Sequence, residues 1–147
     1  MRYAIIAALI AAPTLSLAGP AEDTVAARQG YFKLVGANMG ALAGMAKGKI
    51  EYDAAAAQTA ADNLVTLTKY DLTHLFAPGT SSSDMKDTRA LAKIWDDFPG
   101  VQDKAGAFAS AAAEMQTLAG QGKAEMTSAL GTLGGACKGC HDNYRAD

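Results

Sequence analysis

The chain has 147 residues, half of them hydrophobic, and carries 13 Lys and Arg against 15 Asp and Glu, a formal net charge of −2. That length suits one small domain with a single core, and the slightly acidic balance recommends neither nucleic acid nor an anionic membrane as partner. With only two cysteines and two histidines, any thiol or metal chemistry rests on very few side chains.

Met1-Arg2 is a short positive start, residues 3–17 are an apolar run rich in Ala, Ile and Leu, and Ser16-Leu17-Ala18 supplies small residues where a signal peptidase reads. The run is too short for a membrane span, and Pro13 interrupts it. The expectation is a cleavable export signal over residues 1–18, placing the protein in the periplasm, and a mature domain over 19–147. With Arg2 removed, 12 Lys and Arg face 15 Asp and Glu there, a net charge of −3.

Four amphipathic stretches follow. Residues 23–47 set Val25, Arg28, Phe32, Val35, Met39 and Leu42 at alternating three- and four-residue steps, one face of a helix. Gly48 breaks it, and Asp53 can cap a second helix over 53–75 with Ala57, Ala60, Leu64 and Leu67 inside. Alanine loses no side-chain entropy on ordering, so the Ala-rich composition favours helix. Residues 77–83 read as a loop and 84–95 as a short helical segment, stopped by Phe98-Pro99-Gly100. A third long helix is expected over 100–119, with Val101, Ala105, Phe108, Ala112 and Met115 inside. After a turn at Gly120-Gln121-Gly122, a fourth over 123–144 carries the stripe Met126, Leu130, Leu133, Cys137, Cys140 and Tyr144. The pattern predicts an all-α, antiparallel up-down-up-down four-helix bundle. Its alanines bury little area at about 25 cal/mol per Å², so the core needs a further large apolar body.

Cys137-Lys138-Gly139-Cys140-His141 supplies one. A Cys-x-x-Cys-His run reads as a c-type haem attachment site: each thiol adds to one vinyl group, and His141 supplies an axial nitrogen to iron. A thioredoxin-like pair would need a βαβ setting that is not present in the sequence, and a structural zinc site would need a fourth ligand. On a helix, offsets of three and four turn Cys137, Cys140 and His141 to one side. One covalently attached haem c per chain is expected, facing the bundle interior.

The sixth position on the iron decides between electron transfer and ligand binding. Met39, Met45, Met85, Met115 and Met126 begin as gap-filling core residues, and His74 as a surface or helix-end histidine. Arg28 needs an anionic partner if it is buried on its apolar stripe, or else it snorkels out from the helix end. Asp84 reads as an N-cap, and Arg145 as a cation favourable at a helix C-terminus or one packed on the imidazole side of the haem.

The C-terminal Cys-Lys-Gly-Cys-His-Asp-Asn-Tyr-Arg, the early Ala-Arg-Gln-Gly-Tyr-Phe-Lys and the central Phe-Ala-Pro-Gly-Thr together resemble cytochrome c′, the class II c-type cytochromes. The resemblance implies a four-helix bundle and sets Phe32, four residues after Arg28, over the open face of the iron. Relatives with a methionine there are low-spin. Phenylalanine has no donor atom, so the iron is expected to be five-coordinate. The resemblance further implies Arg28 and Gln29 at the haem edge, with Arg28 on a propionate, and Asp84 near the haem periphery. It also implies homodimers through the first two helices, where Gly40, Ala41 and Gly44 permit close packing. The leading expectation is a non-enzymatic periplasmic protein that binds small gases such as nitric oxide and carbon monoxide. The alternative is a low-spin electron carrier between periplasmic redox partners.

Overall fold

A computed structural model describes residues 19–147; the expected export signal lies outside the described residues. The domain is all-α. Helix α1 spans Pro20–Ala46, α2 Ala54–Thr68, α3 Lys93–Asp96, α4 Phe98–Leu118 and α5 Lys123–Tyr144, with a 3₁₀ turn at Thr73–Leu75 between α2 and α3. The four long helices make the bundle. Helix α4 packs against α5 and α2, and α1 against α2 and α5.

Local chemistry sets the boundaries. Gly48, at φ 68°, takes the left-handed conformation that ends α1. Asp53 caps α2 by accepting from the Ala56 N–H at 2.7 Å. Asp97 does the same for α4, accepting from the Gly100 N–H at 3.1 Å with Pro99 in the first turn. Helix α4 therefore starts at Phe98, two residues before the expected position.

Two expectations are corrected. The second helix stops at Thr68 rather than reaching Leu75, because Asp71 offers the backbone a competing partner: its carboxylate accepts from the Thr73 N–H at 2.9 Å and the Thr73 hydroxyl at 2.6 Å. The segment 84–95 is helical only in α3. Its first part forms turns and then pairs with the chain end. Ala90 and Arg145 form an antiparallel bridge, the Leu91 N–H donates to Tyr144 O at 3.0 Å, and the Ala146 N–H donates to Arg89 O at 2.8 Å.

The core occupies one half of the bundle. Val35, Leu42 and Met45 of α1 meet Ala57, Ala60, Ala61 and Leu64 of α2, Ala111, Ala112 and Met115 of α4, and Met126, Ala129 and Leu133 of α5. Three of the five methionines of the described chain thus fill core, and Met39 packs against it. The opposite half, where α1 begins and α5 ends, is built differently.

Candidate haem site

At that end α5 buries nothing between Leu133 and Tyr144, and α4 buries nothing from Phe98 to Ser110. Val101 is only partly buried and Ala105 is exposed, against the inward placement expected for them, whereas Phe108, also partly buried, packs against the core as expected. Phe32, also expected inside, is 48 % exposed and meets the Tyr31 ring edge-on at 5.2 Å. Small residues line this half, Ala105, Gly106 and Ala107 on α4 and Gly134, Gly135, Ala136 and Gly139 on α5, so the helices can accommodate a bulky apolar group between them.

Cys137 and Cys140 sit in this stretch as free, half-buried thiols. Before haem attachment, burial pushes both thiols above the usual range; for Cys140 the neighbouring Cys137 adds to the rise and Lys104 partly offsets it. His141 is exposed, with its Nδ1 3.4 Å from Arg145 Nη1. Lys138 and Asp142 pair one helical turn apart beside the motif, an exposed pair of small energetic weight.

Arg28 is 3 % exposed. Its Nη1 donates to Leu75 O at 2.9 Å and Thr80 Oγ1 at 3.0 Å, and its Nη2 donates to Thr80 O at 2.8 Å and Thr88 Oγ1 at 3.0 Å. The guanidinium also lies 5.1 Å from the Phe76 ring centre and 6.0 Å from that of Trp95. It does not snorkel. Those four bonds use both hydrogens on each terminal nitrogen, so Nε–H is the donor left for any further partner. No carboxylate pairs with Arg28 among the described residues, and burial lowers its pKa.

Gln29 donates through Nε2 to Asp87 O. Arg28 and Gln29 of α1 therefore hold the connecting segment 75–88, a role that sequence reading missed because the partners are mostly carbonyls and threonines far along the chain. Asp84 heads no helix: its carboxylate accepts from the Ser81 hydroxyl at 2.6 Å and the Ser81 N–H at 3.3 Å, closing a turn. His74 is exposed and lies 3.3 Å from the Tyr70 hydroxyl. Among the described residues, no group of three or more His, Cys, Asp and Glu side chains could hold a metal ion.

These residues suit a large, flat, apolar group with anionic edges. Two thiols are three apart on a helix face that nothing covers, a histidine follows directly, and a buried arginine has no acid of its own. The model of the family described as cytochrome C′ matches residues 23–145. The chain belongs to the cytochrome c′ family. It is 51 % identical to the cytochrome c′ of Cereibacter sphaeroides over 146 residues, which are 99 % of this chain and 98 % of the relative. The solved structure of cytochrome c′ from Rhodobacter Spheriodes matches with a TM-score of 0.85 at 52 % identity, over 88 % of this chain and 99 % of the other. A solved nitric oxide complex of a mutant cytochrome c prime from Alcaligenes xylosoxidans matches at 0.73 and 30 % identity, over 86 % and 97 %. As a member of the family, the protein is a c-type cytochrome with covalently bound haem c.

Proposed function

We propose that this cytochrome is a periplasmic, high-spin, five-coordinate binder of small gases, with nitric oxide and carbon monoxide as ligands, and that it is not an enzyme. When bound, the haem supplies a one-electron couple and an iron able to take a diatomic ligand. Cys137 and Cys140 would hold it by thioethers, and His141 would supply a nitrogen ligand to its iron. The Arg28 Nε–H and Gln29 serve its acidic edge. Asp84 and Arg145 are assigned to its periphery and its proximal side.

The observation that carries this reading is where the candidate axial donors sit among the described residues. Met45, Met115 and Met126 are fixed in the far core, Met39 packs against that core, His74 lies beside Tyr70, and Met85 is half-buried in the connecting segment, its N–H donating to Ser81 O at 2.9 Å. Phe32 stands where the resemblance puts the distal cap and has no lone pair to offer. Its ring crowds that face and slows ligand entry. The nitric oxide complex solved for the Alcaligenes relative supports the choice of ligand. The polar side chain that meets the Phe32 ring, Tyr31, has its hydroxyl committed to Leu67 O at 3.0 Å, so it is not free to act as a general base, which argues against peroxidase chemistry.

The ferric protein should show high-spin optical and spin-resonance spectra, and carbon monoxide should bind ferrous Phe32→Ala faster and more tightly than wild type. A low-spin wild-type spectrum refutes the open site and leaves the electron-carrier alternative. Equal carbon monoxide kinetics in the two proteins refute Phe32 as the cap. Export predicts a mature mass of residues 19–147 plus one haem. Homodimer formation is proposed through the outer face of α1, where Leu34 is 57 % exposed and Gly40 is open. Gly44 takes no part in it, because Ile50 of the same chain covers that site.

A further inference from the structure

Between Leu133 and Tyr144, about three helical turns at 3.6 residues per turn, α5 buries no side chain against the polypeptide itself. Cys137, Cys140 and His141 all lie within that stretch. Its far end is held by the backbone pairing of Tyr144 and Ala146 with Leu91 and Arg89 and by one buried side chain, that of Tyr144, which is 5 % exposed after three exposed neighbours. The Tyr144 hydroxyl donates to Asp97 Oδ2 at 2.6 Å, and Asp97 is fixed in turn as the cap of α4. Lys93 Nζ lies 5.4 Å from the centre of the Tyr144 ring. The contact also needs Gly100, since a Cβ there would lie 2.3 Å from the Tyr144 hydroxyl oxygen. A cap, a glycine and a phenol thus converge on one hydrogen bond.

We propose that Tyr144 is a positioning residue for His141, acting through its hydrogen bond to Asp97. This rests on His141 being the axial ligand. Tyr144 lies three residues on, about one turn away, so its tether fixes how the last turn of α5 is rotated about the helix axis and hence where the imidazole points. Without that hydrogen bond, the nearest buried side chain before Tyr144 is Leu133, and the backbone pairing with Leu91 and Arg89 leaves the rotation of the last turn less fixed. The thioethers at Cys137 and Cys140 precede His141 and leave the turn after it to the polypeptide. A tyrosine that served only to fill space would need its ring alone; this hydroxyl is spent on a carboxylate.

Tyr144→Phe keeps the ring and removes the bond. In haem-loaded protein, the spread of the hyperfine-shifted haem methyl resonances reports the orientation of the axial imidazole, in either spin state. Tyr144→Phe is expected to change that spread and to speed amide hydrogen exchange at residues 141–146 at least ten-fold, with residues 126–133 unchanged. Gly100→Ala displaces the hydroxyl from the other side and should give the same spectral change, which covers failure of the first variant to fold. Asp97→Asn keeps an acceptor and should stay close to wild type. Wild-type methyl shifts and wild-type exchange in Tyr144→Phe overturn the proposal, as do wild-type shifts in Gly100→Ala. Absence of shifted His141 ring signals from the wild-type spectrum is a distinct result: it removes the axial assignment, and this inference with it.

Discussion

Arg28→Met keeps a long unbranched side chain and removes every donor of the guanidinium. Four acceptors are affected, but not equally. Thr80 Oγ1 still donates to Ala77 O at 2.7 Å, and Thr88 Oγ1 still accepts from the Ala90 N–H at 3.2 Å. Leu75 O and Thr80 O lose the side-chain partner that satisfies them, at about 1–3 kcal/mol for each buried polar group left without one. The contacts with Phe76 and Trp95 add about 0.5–1 kcal/mol. Burying a methionine in place of a cation returns about 1–2 kcal/mol of this. The net loss is about 3 kcal/mol, or about 10 °C in Tm for a domain of this size. Urea unfolding of the haem-loaded protein, followed by far-ultraviolet circular dichroism, measures it. Arg28→Lys separates the two roles of this side chain. An ammonium cannot span the carbonyls of Leu75 and Thr80 together with two hydroxyls, so it should fall nearly as far as methionine. A loss under about 0.5 kcal/mol in Arg28→Met would refute the account of Arg28 as the anchor of the 75–88 segment. A lysine variant matching wild type, with a salt-dependent loss in the methionine variant, would show that charge alone is what Arg28 contributes.

Replacing Cys137 and Cys140 together with alanine should abolish haem staining after denaturing electrophoresis, while either single variant retains one thioether; full staining of the double variant would contradict the attachment site. The Tyr144 hydroxyl is pushed up from 10.0 to about 12, first by its bond to Asp97 and then by burial and nearby carboxylates. Between those values the unfolded chain has lost the proton that the folded chain keeps, so this contribution to stability is complete below pH 10 and is lost as pH rises towards 12; urea midpoints measured across that window should fall less steeply in Tyr144→Phe. Asp97 moves the other way: the Tyr144 hydroxyl, and then the Gly100 N–H, hold its carboxyl below the usual 3.8. Its contribution is therefore present above that value and lost as pH falls below it, a loss that Asp97→Asn should not show in acid titrations of stability. Asp53→Ala should cost about 1 kcal/mol in urea unfolding through the lost cap of α2, and no loss would mean that the cap is not needed.

Much of this protein is legible in its sequence because the signals are local. The Cys-x-x-Cys-His run sets three side chains on one helical face by spacing alone, and the start of α5 at Lys123 follows from the glycine turn before it. Asp53 before an alanine run announces its helix, and apolar periodicity picked out Val25, Val35, Leu42, Leu64, Met115 and Met126 as core. Periodicity names a face, however, and says nothing about what lies opposite it. Phe32, Ala105 and Cys137 fit their stripes as well as Leu42 does, yet they lie in the half of the bundle that carries the Cys-x-x-Cys-His motif rather than in the chain's own core. Long-range hydrogen bonds are equally invisible from a local pattern. Residues 84–95 have the composition of a helix, but the chain end takes their backbone: Leu91 pairs with Tyr144, and Ala146 with Arg89. Arg28 sought an acid by its chemistry and found carbonyls and hydroxyls on a segment some fifty residues away. Sequence determined the helices and the haem-binding motif, because both depend on neighbours within about one turn. Tertiary structure alone decided which half of the bundle closes on itself, and which residues tie its open end together, because those contacts depend on chain segments that meet only after folding.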